Sequence, residues 1–216
     1  MLLRKMSLNA ARLYLILDRG VNSYEDLFEI AKKAIAADVD IIQLRDKRGS
    51  VQEILNFSKR VLGITKGRVP YIINDRVDLA MVSCSSGVHL GQDDVPLAEA
   101  RKVMGKKILI GVSCQTFAHA QKAQDNGADY IGFGSVFKTL TKPGRQPLDT
   151  ELLKRVFKDI RIPVFAIGGI NLTNIVQLRN IGVDRIAVCR AVCKAENIEK
   201  AVKQFKVSVE REAVSR

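Results

Sequence analysis

The chain has 216 residues, of which 47% are hydrophobic and 27% are charged. This composition is typical of a globular protein and excludes a disordered tail, a collagen-like fibre and a disulfide scaffold. With 35 Lys and Arg against 23 Asp and Glu, the formal net charge is +12, which favours phosphorylated small molecules, nucleic acid or an acidic membrane as partners, unless the surplus is only a basic surface.

Other features of the sequence narrow the possible partners and the possible location of the protein. No apolar run reaches the roughly 18 residues of a membrane helix, and 6% aromatic residues without Trp disfavour base stacking with single-stranded nucleic acid. The first twelve residues are too short for a signal peptide and lack a clear cleavage site, and a trimmed transit sequence is the alternative. The 4 cysteines form no CxxC pair, so reduced thiols in the cytoplasm are the expectation. We expect a cytoplasmic protein with no membrane or nucleic-acid partner.

Short β-branched runs alternate along the chain with longer segments of helical period. In chain order, the predicted strands cover residues 13–17, 41–45, 71–74, 87–90, 108–112, 130–133, 164–167 and 185–188. The first predicted helix begins after Ser23 as N-cap, and the others cover residues 51–62, a short helix through 79, 96–104, 117–126, 152–157, 172–180 and 198–209. Asn171 is expected to open the seventh of these helices.

Eight strand–helix units with no Pro/Gly/Ser linker between them indicate an α/β fold. Eight units in about this length match the (β/α)₈ TIM barrel, and a doubly wound open sheet is the alternative. We expect one domain over residues 1–216, in which residues 1–11 form a short N-terminal extension. The oligomeric state stays open, a homo-oligomer included.

Polar residues and glycines gather where the predicted strands end. TIM-barrel enzymes build their active sites from these βα loops, so we expect the polar groups to meet at one mouth. The candidates are Gln43, Arg45, Lys47, Asn74, Asp75, Gln92, Asp93, Asp94, Ser113, Thr139, Thr141, Lys142, Gly168, Gly169, Cys189 and Arg190.

The second predicted strand carries the clearest pattern. Gln43, Arg45 and Lys47 alternate along an extended chain, so their side chains share one face. An Arg fork and a Lys point charge beside an amide suit a diphosphate and a polar ring. A surface cluster around Lys47 and Arg48 is the alternative.

Acidic residues follow two neighbouring predicted strands, in the pairs Asn74-Asp75 and Asp93-Asp94. Asp75 and Asp94 come from adjacent loops, and two carboxylates from separate loops suit one Mg²⁺ ion that also binds phosphate oxygens. A helix cap at Asp75 and plain turn residues at Asp93 and Asp94 are equally good readings of the sequence alone.

Two further loops suit phosphate. Residues 136–149 carry hydroxyls and cations that fit a phosphate lid, with a solvated basic loop as the alternative. Gly168 and Gly169 lack Cβ atoms, so a phosphate can approach the backbone N–H groups there. His89 is expected to be a hydrogen-bonded structural histidine.

Taken together, the ordered motifs resemble those of the thiamine-phosphate synthase family. The matching stretches are LYLILD at 13–18, QLRDK at 43–47, INDRVDLA at 73–80, GVHLGQDD at 87–94, GVSCQT at 111–116, GADYIGFGSVFKTLTKP at 127–143, IPVFAIGGIN at 162–171 and GVDRIAVCRAV at 182–192. The resemblance implies a (β/α)₈ enzyme with Mg²⁺ as cofactor and two small-molecule substrates. It joins 4-amino-2-methyl-5-hydroxymethylpyrimidine diphosphate to 4-methyl-5-(2-phosphoethyl)thiazole, or to its 2-carboxylate with loss of CO₂, and releases diphosphate by a dissociative displacement.

The resemblance also assigns roles to residues. Those implied to bind the pyrimidine diphosphate are Gln43, Arg45, Lys47, Asn74, Ser113 and Lys142. Those implied to bind the thiazole phosphate are Thr139, Thr141, Gly169, Cys189 and Arg190. Catalytic roles are implied for Arg45, Lys47, Ser113 and Lys142, and Mg²⁺ ligation for Asp75 and Asp94.

The chain departs from the family pattern at Arg190, where a small Ser is usual. Two other functions stay as alternatives. A thiazole tautomerase-like isomerase on the same barrel carries a His just after the sixth strand, where this chain has Ser135. A non-catalytic anion- or RNA-binding protein would use the basic surface, but no RNA motif supports it.

Overall fold

The computed structural model describes residues 8–139, 144 and 146–210. Eight parallel strands close into a barrel in the order β1 to β8, with β8 paired to β1. The strands are β1 (Leu13–Asp18), β2 (Ile41–Arg45), β3 (Tyr71–Asn74), β4 (Gly87–Leu90), β5 (Leu109–Cys114), β6 (Tyr130–Gly134), β7 (Val164–Ile167) and β8 (Ile186–Val188). The prediction of a (β/α)₈ TIM barrel is confirmed, and the open-sheet alternative is wrong.

Helices cover the outside of the barrel. They are α1 (Tyr24–Ala36), α2 (Val51–Thr65), α3 (Val77–Val82), α4 (Leu97–Met104), α5 (Phe117–Asp125), α6 (Thr150–Asp159), α7 (Ile175–Arg179), α8 (Arg190–Cys193) and α9 (Ile198–Val209). Side-chain caps fix several helix starts: Ser23 accepts from the N–H of Asp26, and Ser50 forms a capping box with Glu53. Such caps satisfy N–H groups that the first turn leaves unpaired.

The seventh helix begins later than predicted. Asn171 does not open it, because its Oδ1 accepts from the N–H groups of Thr173 and Asn174, each at 2.9 Å. This local turn competes with a helix start. The first helical residue is therefore Ile175 rather than Leu172.

Alternate residues of each strand enter two separate cores, because side chains alternate between the faces of a strand. Leu13, Leu15 and Leu17 pack outward against the helices, whereas Tyr14 and Ile16 point into the barrel. Strands covered on both faces read as continuous apolar runs, which is why the strands were visible in the sequence. The inner core also includes Leu8 and Ala11, from the residues before β1.

An ion pair fixes the amino-terminal side of the barrel. Arg101 of α4 donates to Asp129, the residue before β6, at 2.6 Å, and the side chains are 20% and 5% exposed. Asp129 also accepts from the N–H of Ile110 at 2.9 Å. This pair lies at the opposite end of the strands from the loops that carry the polar candidates.

Over residues 8–139, 144 and 146–210, no helix is both long and apolar enough to cross a membrane.

Candidate active site

Two adjoining cavities open at the carboxyl ends of the strands. The larger, of about 380 Å³, is lined by residues from all eight strands and from the segments that follow β6, β7 and β8. The smaller, of about 290 Å³, lies beside β2 to β5 and is mostly polar. Arg45, Asn74 and Ser113 line both cavities, so one ligand can extend from the first into the second.

Two cationic side chains, those of Arg45 and Lys47, line the smaller cavity. The Arg45 guanidinium donates to Asp18 at 2.7 Å, and Asp18 is its register partner on β1. Lys47 pairs with Asp75. The Nδ2 group of Asn74 is buried and finds no acceptor among the described residues. A buried donor without a partner is costly, so it favours a ligand that brings an acceptor.

The carboxyl groups of Asp75 and Asp94 lie together in this cavity. Asp75 has a left-handed backbone with φ 63°, and its N–H donates to the carbonyl of His89 at 2.8 Å. The N–H of Gly91 donates to Asp94 at 2.7 Å. Burial raises the pKa of Asp75 and the adjacent carboxyl group of Asp94 raises it further, whereas Lys47 lowers it by less.

This pair fits a Mg²⁺ ion. Like charges this close favour either a shared proton or a shared cation. Within residues 8–139, 144 and 146–210 no cluster of three or more His, Cys, Asp or Glu side chains is placed to hold a metal. Mg²⁺ needs none, because it commonly keeps several waters and binds one or two carboxylates together with substrate phosphates.

Aromatic rings pack together at the base of the larger cavity, and those of Tyr14 and Phe165 line it. Tyr14, Tyr130 and Phe165 meet edge to face with ring centroids 5.5 to 5.8 Å apart. Above them, Gln43 donates to the hydroxyl of Tyr14 at 2.6 Å, and Ser113 lies 2.9 Å from a ring nitrogen of His89. A flat ligand ring suits such a floor.

The far side of the larger cavity is formed by the loops after β7 and β8. Gly168 and Gly169 have φ values of 109° and 65°, and a Cβ on Gly169 would lie 2.9 Å from that of Phe137. Both positions therefore require glycine, because their φ values are positive and because the segment after β6 leaves no room for a Cβ. Cys189 and Arg190 complete this side. The hydrogen bond that the Cys189 thiol donates to Cys193, together with burial, raises the pKa of Cys189 far above its ordinary value.

The structure brings most of the predicted site residues together. Those that line one or both cavities are Gln43, Arg45, Lys47, Asn74, Asp75, Gln92, Asp93, Asp94, Ser113, Thr139, Gly168, Gly169, Cys189 and Arg190. Thr141 and Lys142 lie outside the described residues. The roles assigned to all of these side chains stay predictions.

Several residues of the site were missed in the sequence. Asp18 ends β1 as Arg45 ends β2, so the rule used for the other strands would have found it. Tyr14 and Tyr130 read as ordinary apolar strand residues, and only barrel closure brings their hydroxyls together. His89 is hydrogen-bonded, as expected, and it also lines the larger cavity.

Comparison with known proteins agrees with this geometry. The family model described as "Thiamine monophosphate synthase" matches residues 13–192. The chain belongs to the thiamine monophosphate synthase family. The predicted membership, and with it the prediction of a transferase of thiamine biosynthesis, are confirmed.

Individual relatives cover most of the chain. A thiamine-phosphate synthase of Fusobacterium nucleatum is 38% identical over 201 residues, which are 93% of this chain and 98% of that protein. One of Gloeobacter violaceus is 42% identical over 191 residues. These are 88% of this chain but only 55% of that longer relative.

Solved structures of this family and of other barrels resemble the fold. A thiamine phosphate pyrophosphorylase from Pyrococcus furiosus is 32% identical with a TM-score of 0.83, over 95% of this chain and 97% of that one. A 3-hexulose-6-phosphate synthase is 17% identical with a TM-score of 0.66, over 92% of this chain and 100% of that one. At that identity the second likeness concerns the barrel alone.

Proposed function

We propose that this family member condenses 4-amino-2-methyl-5-hydroxymethylpyrimidine diphosphate with 4-methyl-5-(2-phosphoethyl)thiazole to give thiamine phosphate and diphosphate. One observation carries the proposal. A polar cavity with two cations and two adjacent carboxyl groups opens into a second cavity with an aromatic floor. The first suits a diphosphate with its metal ion, and the second suits two heterocycles.

In this reaction the protein stabilises the diphosphate leaving group. The bond between the pyrimidine methylene and the diphosphate oxygen breaks, the electron pair leaves with the diphosphate, and the thiazole nitrogen then attacks the methylene carbon. Arg45 and Lys47 face the departing negative charge, and Lys142 is assigned to the same group. Fixed charges aimed at a developing anion are among the largest sources of catalysis.

Asp75 and Asp94 would hold Mg²⁺ at the same end. When bound, the ion supplies positive charge to the diphosphate oxygens. The Nδ2 donor of Asn74, at the boundary of the two cavities, is satisfied by an acceptor of the pyrimidine diphosphate. These contacts orient the reacting methylene toward the larger cavity, where the second substrate binds.

The protein itself needs no nucleophile in this reaction. Two thiols line the larger cavity, those of Cys114 and Cys189. Burial raises the pKa of Cys114 to about 12, and the pKa of Cys189 is raised as well. Both therefore stay protonated near neutral pH and are poor nucleophiles.

Arg190 gives the thiazole phosphate its own cation. It is exposed, lines the larger cavity beside Gly169, and forms no ion pair with another described residue. Arg190→Ser is expected to raise the KM for the thiazole phosphate about tenfold, as the loss of one charge-assisted hydrogen bond implies. The KM for the pyrimidine diphosphate should not change.

Steady-state kinetics with each substrate varied in turn measure this effect. Lys194→Ser is the matched control, since it removes a positive charge four residues away at an exposed position outside both cavities. An equal rise of both KM values in Arg190→Ser, or the same rise in Lys194→Ser, would show that Arg190 acts only through general electrostatics.

The proposed function is tested with purified protein, both substrates and Mg²⁺. Thiamine phosphate and diphosphate should appear in equal amounts, and omission of Mg²⁺ should abolish both. Parallel reactions with the thiazole and with its 2-carboxylate identify the preferred second substrate. Tautomerisation of the carboxylate without any condensation would replace the proposal with the isomerase alternative, whose histidine position is occupied here by Ser135.

The four cysteines are free thiols, which supports a reducing, cytoplasmic location. The substrates are small molecules, and residues 1–216 are proposed to form a single domain.

A further inference from the structure

A continuous chain of side-chain hydrogen bonds crosses the floor of the larger cavity. Gln43 donates to Tyr14 at 2.6 Å, and the hydroxyls of Tyr14 and Tyr130 lie 2.9 Å apart. The Tyr130 hydroxyl lies 3.2 Å from Nδ1 of His89, whose Nε2 lies 2.9 Å from the Ser113 hydroxyl. We call these five residues the floor relay. Its two ends, Gln43 and Ser113, line the cavity on β2 and β5.

We propose that the floor relay runs in one direction, from Gln43 to Ser113, and that Tyr14, Tyr130 and His89 are positioning residues that fix which hydrogen-bonding atoms the cavity presents to its ligand. The proposal rests on the function proposed above only for the identity of that ligand.

The direction follows from counting hydroxyl protons. Tyr14 accepts from the Nε2 group of Gln43, so its single proton goes to Tyr130. Tyr130 then donates to Nδ1 of His89. A neutral imidazole carries one proton, which must lie on Nε2 and point to Ser113. If Tyr130 instead donated to Tyr14, the buried hydroxyl proton of Tyr14 would have no acceptor, which is costly.

This direction decides what each end of the relay offers. Ser113 accepts from His89, so its own hydroxyl proton is available to an acceptor in the cavity. Gln43 uses an amide N–H for Tyr14, which leaves its carbonyl oxygen for a donor. The cavity thus fits a ring with a hydrogen-bond donor facing β2 and an acceptor facing β5. An aminopyrimidine has both, through its amino group and its ring nitrogens.

The surroundings hold the relay in place. The side chains of Tyr14 and Tyr130 are almost fully buried, and their rings pack against Phe165. A Cβ at Gly111 would overlap the Tyr130 ring, and one at Gly132 would lie 3.3 Å from the His89 ring. These two strand glycines therefore provide the space that the tyrosine and the histidine occupy.

Tyr130→Phe tests the proposal, because it removes the central hydroxyl and keeps the ring. The wild-type protein should show His89 protonated on Nε2 in ¹⁵N NMR spectra, which are simple because the chain has 2 histidines. In Tyr130→Phe we expect a mixture of tautomers. The kcat/KM for the pyrimidine diphosphate should fall about tenfold, with the KM for the thiazole phosphate unchanged.

Tyr71→Phe is the matched control. Tyr71 is as buried as Tyr130, and its hydroxyl bonds Ser58 at 3.0 Å in the outer core. This control should lose a similar amount of stability while the His89 tautomer and both KM values stay as in the wild type. The tautomer is measured without substrate, so a failure of the proposed reaction leaves this test intact.

Three results would overturn the floor relay. A wild-type His89 protonated on Nδ1 would mean that the chain runs from Ser113 to Gln43. An unchanged tautomer in Tyr130→Phe, or a loss of kcat/KM as large in Tyr71→Phe, would reduce the tyrosines to packing residues.

Discussion

Replacement of Arg45 by Ala is expected to lower the kcat/KM for the pyrimidine diphosphate by about 10³-fold, because it removes a fixed cation aimed at the leaving group. The same change leaves the buried Asp18 without its partner. Losing one member of a buried ion pair costs roughly 3 kcal/mol or more of unfolding free energy. The Arg45→Ala protein should therefore be both less active and less stable, as measured by steady-state kinetics and thermal unfolding.

A double variant separates the two effects. Asp18→Asn with Arg45→Ala removes the orphaned charge, so it should regain much of the lost stability and none of the activity. Arg101→Ala is a close control, since the Arg101–Asp129 pair has side chains 20% and 5% exposed, against 20% and 4% for Arg45 and Asp18. It should lose stability and keep kcat/KM. Activity restored in the double variant would show that Arg45 acts through folding alone.

Asp75→Asn is expected to raise the Mg²⁺ concentration needed for half-maximal activity by at least about 100-fold. Changes to groups that merely support a metal ligand already cost 10- to 100-fold in affinity, and Asp75 is assigned as a ligand itself. In the wild type, Mg²⁺ with diphosphate should raise the unfolding temperature through binding to the folded state. Asp75→Asn should abolish that increase.

Asp93→Asn is the control for this second prediction. Asp93 is exposed and lines the same cavity beside Asp94. Asp93→Asn therefore removes an equal charge and leaves the carboxyl groups of Asp75 and Asp94 in place. Its Mg²⁺ requirement should stay within about twofold of the wild type, as expected for an exposed charge. If Asp93→Asn and Asp75→Asn raise the Mg²⁺ requirement equally, the requirement depends on the net charge of the cavity, and Asp75 and Asp94 are not the metal site.

Local sequence patterns predicted most of the fold. Strands β2, β3, β4 and β7 have the predicted bounds, because strands covered by helices on one side and by the barrel interior on the other are mostly apolar. The other strands differ by one or two residues at their ends. The start of α7 was wrong because Asn171 closes a local turn, a competition between side-chain and backbone hydrogen bonds that periodicity does not register.

The sequence by itself also determined what the mouth of the barrel contains. Parallel strands in one barrel end on the same side, so any polar residue after a strand belongs to that side, whatever the details of packing. Gln43, Asn74, Ser113 and Cys189 were found in this way from chain order alone. The family resemblance then assigned these residues to the binding of the two substrates.

Only the tertiary structure decided which of these groups touch. Asp18 meets Arg45 because β1 and β2 pair in a particular register, and the register is set by packing across the whole barrel. The floor relay joins β1, β2, β4, β5 and β6, which become neighbours of one interior only when β8 closes on β1. Chain order places side chains on a face, but hydrogen bonds require distances near 3 Å, and those exist only once every strand is in place.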